Sequence, residues 1–144
     1  MVKQLNVFVE NKPGRLKAIT QVLSENNLNI WLFAIQDRGE FGLMKLIVDK
    51  PQAAYLILAD KGFACALKEV LAVSIPDKPG NLYKLTSLLF EHKVNIVDAH
   101  GIGIASSKKG VCFLELAVKD YAPVKAILKK EGFRSLEEED IYSI

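Results

Sequence analysis

Asn11 and Asp77 each stand two residues before a Pro-Gly pair, in Asn11-Lys12-Pro13-Gly14-Arg15-Leu16 and in Asp77-Lys78-Pro79-Gly80-Asn81-Leu82. The pattern occurs twice, 66 residues apart. Its chemistry is that of binding rather than bond-making. Proline fixes its own φ and presses the preceding Lys12 or Lys78 into extended backbone. Gly14 and Gly80 then let the chain swing into a helix with no side chain in the way. The result is a helix start whose first N–H groups lack acceptors and carry partial positive charge, suited to a carboxylate or phosphate. The side-chain oxygens of Asn11 and Asp77 could accept from an ammonium group, or could bond their own backbone and serve only the turn. An anion site beside an ammonium site would suit a free α-amino acid. A plain strand-to-helix turn would need the same Pro-Gly pair, and duplication repeats a structural turn as readily as a binding one.

The elements around the turn repeat with it. Leu5-Asn6-Val7-Phe8-Val9 aligns with Leu71-Ala72-Val73-Ser74-Ile75, apolar at alternate positions, which is the period of a strand with one face in a core. Leu16, Ile19, Val22 and Leu23 recur at helical spacing, as do Leu82, Leu85, Leu88 and Leu89. Each helix runs into Asn-Ile, Asn29-Ile30 and Asn95-Ile96, still 66 apart. Two strands follow, over 29–37 and 42–49 in one copy and 95–105 and 111–119 in the other. Their hairpins are Asp37-Arg38-Gly39-Glu40 and Ser106-Ser107-Lys108-Lys109-Gly110. Beyond them the offset becomes 70, which places about four extra residues at or near the second hairpin. A second helix follows in each copy, with Pro51 and Pro123 suited to its first turn and Gly62 and Gly132 to its left-handed end. Phe63 or Phe133 then opens a short last strand.

Each copy reads β-α-β-β-α-β, the ferredoxin-like α+β arrangement of a four-stranded antiparallel sheet with both helices on one face. The boundaries fall at 1–68 and 69–144, with no Gly or Pro from Phe63 to Ile75 to form a linker. The halves are expected to pack closely. Ile30-Trp31-Leu32-Phe33-Ala34-Ile35 is continuously apolar, and 53–59 is apolar nearly all round, so the first copy is expected to be covered on both faces, by the second copy or another chain. Asp98-Ala99-His100-Gly101-Ile102-Gly103 breaks the matching run with two glycines, which suggests a bulge or a close backbone approach. Asp98 and His100 would share one face and could line a pocket or form a surface pair.

The turn, the Asn-Ile after the helix and the element order together resemble the ACT domain, and two adjoining copies resemble the stand-alone tandem ACT proteins. The resemblance spans nearly the whole chain. It implies a module that binds small effectors, most often amino acids, where the turn of one unit meets a strand or turn of another, and that regulates a metabolic enzyme. By position it implies contacts from Asn11, Pro13, Gly14, Arg15, Leu16, Asn29 and Ile30, and from Asp77, Pro79, Gly80, Asn81, Leu82, Asn95 and Ile96. Leu16 and Leu82 would equally anchor their helices in the core. The two sites should differ, because Asp77 carries a charge that Asn11 lacks.

The bulk composition excludes several rival classes. The chain has 144 residues, half of them hydrophobic, and a net charge of +2. That charge is too slight for a nucleic-acid binder, and no basic cluster is longer than a pair such as Lys108-Lys109. An RNA-recognition module of the same topology would show stacking aromatics amid basic residues on its central strands, and 42–48 and 111–116 do not. Cys65 and Cys112 have no CxxC spacing and read as buried free thiols in a reducing compartment. With His92 and His100 as the histidines, no metal-ligand spacing is evident. No nucleophile–base pair or phosphate loop appears, nor the Gly-Arg loop of acylphosphatases. The acidic run 137–140 reads as a solvated end. No apolar run approaches the roughly 18 residues of a membrane span and no leader precedes the first strand, so a cytoplasmic location is expected.

The expectation is therefore a non-enzymatic regulator, without cofactor or metal, self-associating as a dimer and acting in trans on a metabolic enzyme. An assembly subunit that binds no small molecule is the alternative.

Overall fold

Alternation of Leu5, Val7 and Val9 gives the first strand, β1 (Val2–Glu10), one face in a core. The computed structural model describes residues 1–104 and 108–142. In it the chain divides into two units, Lys3–Lys68, and Met1–Val2 with Glu69–Ile144. The first unit continues through α1 (Arg15–Glu25), β2 (Ile30–Asp37), β3 (Phe41–Val48), α2 (Pro51–Asp60) and the opening of β4 (Cys65–Pro76). β3 pairs antiparallel with both β1 and β2, and Leu5 and Phe33 both face Leu46. The Phe8 N–H donates to the Ala64 carbonyl at 2.8 Å, setting the entry to β4 beside β1.

The second unit repeats this plan. The later part of β4 acts as its first strand, followed by α3 (Asn81–Glu91), β5 (Ile96–Ile104), β6 (Lys109–Leu116), α4 (Ala122–Lys130), β7 (Arg134–Leu136) and α5 (Glu138–Tyr142). β4 pairs with β6 and with β7, and β6 with β5, all antiparallel. Both units are thus α+β with the expected β-α-β-β-α-β order. Each has its own core. Leu5, Val7, Ile19, Leu23, Met44 and Leu46 anchor the first, and Leu71, Val73, Leu85, Leu89, Leu114 and Leu128 the second. Burying each such side chain contributes about 1.5–3 kcal/mol.

The helix ends behave as their residues require. Pro51 and Pro123 lie in first turns. Gly62 and Gly132 take φ of 84° and 83°, and the following Phe63 and Phe133 N–H groups reach back to Leu58 and Leu128. Asn27 and Lys93 make the same left-handed stop after α1 and α3, at φ of 52° and 56°. There the sequence offered no glycine to mark it.

Several expectations are corrected. Leu46 and Leu114 hold matching places opposite Leu5 and Leu71, so β6 is offset by 68 rather than 70. Two extra residues enter at the second hairpin and the other two between β6 and α4. Ser106 and Ser107 of that hairpin lie outside the described residues. The bulge expected at Gly101 and Gly103 is absent, since both pair regularly, with Cys112 and Gly110. The register instead shifts between Ile96 and Asp98, and equally between Ile30 and Leu32. β2 is not covered on both faces within the chain. Trp31, Phe33 and Ile35 stay 36%, 64% and 47% exposed, because β2 is an edge strand with one side of the ladder unpaired. Cys65 is half-buried and Cys112 buried; both are free, and burial pushes both thiols up.

The acidic run is not a loose end. Glu138, Glu139 and Asp140 form the first turn of α5, where carboxylates suit the helix dipole. Glu137 accepts from Lys125 Nζ at 2.7 Å and from the Met1 ammonium, joining the chain start to α4 and the C-terminal segment. The Lys125 hydrogen bond, then that of the ammonium, holds the Glu137 carboxyl below its usual value. A depressed carboxylate stabilises the fold above its unfolded value, about pH 4.3, and the contribution disappears as pH falls through the folded value. Glu137 is half-exposed, so Glu137→Gln should cost no more than about 1 kcal/mol at neutral pH. Urea unfolding at pH 7 and pH 3 checks this, and the difference between variant and parent should be smaller at pH 3 than at pH 7.

Candidate functional site

The two Pro-Gly turns have nearly the same backbone. Gly14 caps α1 at φ 88°, ψ −13°, and Gly80 caps α3 at φ 89°, ψ −16°. Among the described residues, no side-chain hydrogen bond caps either helix. The Arg15 and Asn81 N–H groups reach the Lys12 and Lys78 carbonyls at 3.3 Å, and the Gly14 and Gly80 carbonyls accept the first helical bonds, from Ala18 and Lys84. The next N–H groups of each first turn are left without helical acceptors. A Cβ built on either glycine would meet nothing within 4 Å. Glycine is therefore required here by φ, and the space over the turn is open.

The side chains around the turns differ. The Asn11 amide donates to Asp37 Oδ1 and to the Gly39 carbonyl, both at 3.2 Å, and so is engaged in fixing the β2–β3 hairpin. Among the described residues, the Asp77 carboxylate has no such bond. Arg15 and Lys12 both sit on Glu10, at 3.1 and 3.0 Å, and hold its carboxyl below the usual range, through the Lys12 hydrogen bond first and Arg15 next. The first turn's cations thus have an anion already. In the second turn Pro76 stands in place of Glu10, and Asn81 donates to its carbonyl at 3.0 Å. Pro13 and Pro79 lie inside the turns. Leu16 and Leu82, 39% and 56% exposed, are not the core anchors that helical spacing suggested.

Asn29 and Asn95 lie elsewhere. Asn29 exchanges backbone and side-chain bonds with Asp49, and the Asn95 carbonyl accepts from Ala117. Both therefore clamp the far ends of β3 and β6. The 11–16 turn adjoins the near end, where the Asn11 N–H meets the Glu40 carbonyl. Along β3 these ends are roughly 24 Å apart, so within one unit Asn29 and Ile30 do not meet the turn. Asp98 and His100 share a face, as read from the sequence. The His100 ring stacks on Phe113, centroids 5.2 Å apart, and that face is opposite to the one on which Cys112 and Leu114 meet α3.

Sequence reasoning missed a groove in the second unit. A cavity of about 260 Å³ lies between α3, which contributes Leu82, Leu85 and Leu89, and the strands β5 and β6, which contribute Ile96, Cys112 and Leu114. Ala99 and Gly101 form its edge. Leu82 places one end of the groove at the 77–82 turn. The signal was in the sequence: Ala99 and Gly101 stand where the first copy has Phe33 and Ile35. The glycines suggest a bulge or a close backbone approach in the sequence, and in the structure they mark missing bulk.

Among the described residues no helix is long and apolar enough to cross a membrane. Residues 1–143 match the family model of the ACT domain pair. A crystallised protein from Bacteroides thetaiotaomicron is 30% identical, with 99% of this chain and 96% of that one covered and a TM-score of 0.89. The regulatory subunit of aspartate kinase from Thermus thermophilus shares the fold at 17% identity, with 90% and 92% covered and a TM-score of 0.64. That of Thermus flavus does so at 16% identity, with 88% and 90% covered and a TM-score of 0.59. No curated protein matches the sequence.

Proposed function

The chain belongs to the ACT domain pair family, and from that premise we propose that it binds a free amino acid and regulates a metabolic enzyme carried on a separate chain. The observation that carries this reading is the duplicated turn, with glycine caps at φ 88° and 89° at helix starts that, among the described residues, have no side-chain cap hydrogen bond. Such a start suits the carboxylate of an amino acid. The Asp77 carboxylate beside the second start suits its ammonium group, while Asn11, its amide nitrogen held by the hairpin, offers only a neutral oxygen. The second turn is therefore the stronger site. That the aspartate kinase regulatory subunits share this fold supports regulation of a separate partner.

Regulation would follow from differential affinity. An effector that binds one arrangement of the protein more tightly shifts the population toward it. Affinities between micromolar and millimolar suffice, about −8 to −4 kcal/mol. The exposed Trp31, Phe33 and Ile35 of β2 support self-association, for which a second copy of the chain is the proposed partner.

A thermal-shift screen of the full chain against the twenty amino acids tests the reading. At one hundred times its Kd an effector adds about 2.7 kcal/mol to stability, which moves the melting temperature by several degrees. If no amino acid raises the melting temperature at millimolar concentration, the reading falls and the assembly role replaces it.

A further inference from the structure

The two units make a controlled comparison, because one chain carries the same element pair twice. In the second unit the groove between α3 and β5–β6 is lined by Leu82, Leu85, Leu89, Ile96 and Leu114. The matching positions of the first unit are Leu16, Ile19, Leu23, Ile30 and Leu46, all aliphatic and of similar size. Three other positions lose their bulk. Phe33 faces Leu46 and Ile35 faces Met44 in the first unit, whereas Ala99 faces Leu114 and Gly101 faces Cys112 in the second. Phenylalanine, isoleucine and methionine have become alanine, glycine and cysteine on one face of one sheet. The aliphatic residues around them keep their type in both units, and the groove of the second unit lies where this bulk is missing.

The groove is chemically specific. Among the described residues, no Asp, Glu, Lys or Arg lines it. The Thr86 hydroxyl is turned back to the Leu82 and Tyr83 carbonyls, at 3.1 and 3.0 Å. His100 also lines the groove, but its ring stacks on Phe113, its partner across β5 and β6, on the face away from Cys112 and Leu114. A charged group entering the groove would lose its water and find no counter-charge. At about 260 Å³ the groove is smaller than the roughly 300–1,000 Å³ of sites for drug-sized ligands, so it takes a side chain and not a cofactor. Leu82, which lines it, follows directly on the turn that carries Asp77 and Gly80.

We propose that the groove between α3 and β5–β6 holds the side chain of an aliphatic amino acid, with Ala99, Gly101 and Cys112 as the residues that set its specificity. This rests on the amino-acid-binding reading above and adds to it the class of effector. The second unit reads the side chain; the first unit, with Phe33, Ile35 and Met44 in those places, does not.

The test restores first-unit bulk to the second unit. Ala99→Phe introduces the residue that the first copy tolerates at 64% exposure. Gly101→Ala is the milder partner, because its new Cβ would meet the Val111 carbonyl at 3.5 Å and Cys112 Sγ at 3.8 Å, ordinary contacts. Titration calorimetry of the full chain compares L-leucine, L-isoleucine and L-valine with L-aspartate, L-lysine and L-phenylalanine. One of the three aliphatic amino acids should bind at least about tenfold tighter than the charged and aromatic ones, and each variant should weaken it at least about tenfold. A charged or aromatic amino acid binding tightest overturns the inference while leaving amino-acid binding intact. So does wild-type affinity in whichever variants fold. If the wild-type chain binds no amino acid, the binding reading fails and takes this inference with it.

Discussion

Gly80→Val should abolish amino-acid binding and lower stability by about 1–3 kcal/mol, whereas Gly14→Val should lower stability equally and leave binding within about threefold. The equal cost follows from equal backbone, φ 88° and 89° with no neighbour within 4 Å of a built Cβ. A β-branched residue in left-handed backbone is strained whatever the space around it. The unequal effect on binding follows from the side chains. The Asn11 amide nitrogen is bonded to Asp37 and Gly39, and Arg15 and Lys12 are bonded to Glu10, so the first turn offers an ammonium group only a neutral amide oxygen where the second offers the Asp77 carboxylate. The second turn keeps Asp77 exposed and opens onto an apolar groove. Urea unfolding measures the first effect and titration calorimetry the second. Loss of binding in Gly14→Val with retention in Gly80→Val would reverse the assignment of the two turns.

Leu46→Ala should cost about 2–5 kcal/mol, while Phe33→Ser, its cross-strand neighbour, should stay within about 0.5 kcal/mol. The two side chains lie on one face of one sheet. Leu46 is on the strand between β1 and β2 and has no exposed surface; Phe33 is on the edge strand and is 64% exposed. Truncating Leu46 leaves a cavity that its neighbours fill only in part, and truncating Phe33 mostly removes surface from water. Urea unfolding at low protein concentration separates the two costs. Phe33→Ser should also weaken self-association in sedimentation velocity, because it removes the most exposed apolar group of the strip. A cost for Phe33→Ser equal to that of Leu46→Ala in the dilute protein would show that the edge strand is buried after all.

Much of the fold was legible because its signals are local. The period-two run of Leu5, Val7 and Val9, the helical spacing of Leu82, Leu85 and Leu89, and the left-handed stops at Gly62 and Gly132 need only a few consecutive residues. The second copy of each signal made the unit recognisable. The turns were legible as well, since Pro-Gly dictates φ wherever it stands. The placement of Asn29 and Asn95 was not. Their distance from the turn depends on which end of the sheet the returning helix reaches, and sequence proximity to a motif does not give that. The groove was half legible: the loss of bulk at Ala99 and Gly101 is visible by alignment, but its meaning needed the facing residues Leu114 and Cys112.

By itself the sequence determined a duplicated β-α-β-β-α-β unit, the two glycine-capped helix starts and the charge difference between Asn11 and Asp77. These follow from backbone stereochemistry and from the identity of single residues, which no packing can alter. Only the tertiary structure decided which polar groups are engaged and which apolar ones are exposed. Gln4, Asn6 and Lys45 alternate like a solvent-facing row yet are buried, while Phe33 and Ile35 belong to a continuous apolar run yet are exposed. Tertiary structure also bound Asn11 to its hairpin and left Asp77 open. Burial and hydrogen-bond pairing depend on what lies across space, and that is fixed by strand order and helix placement rather than by neighbours along the chain.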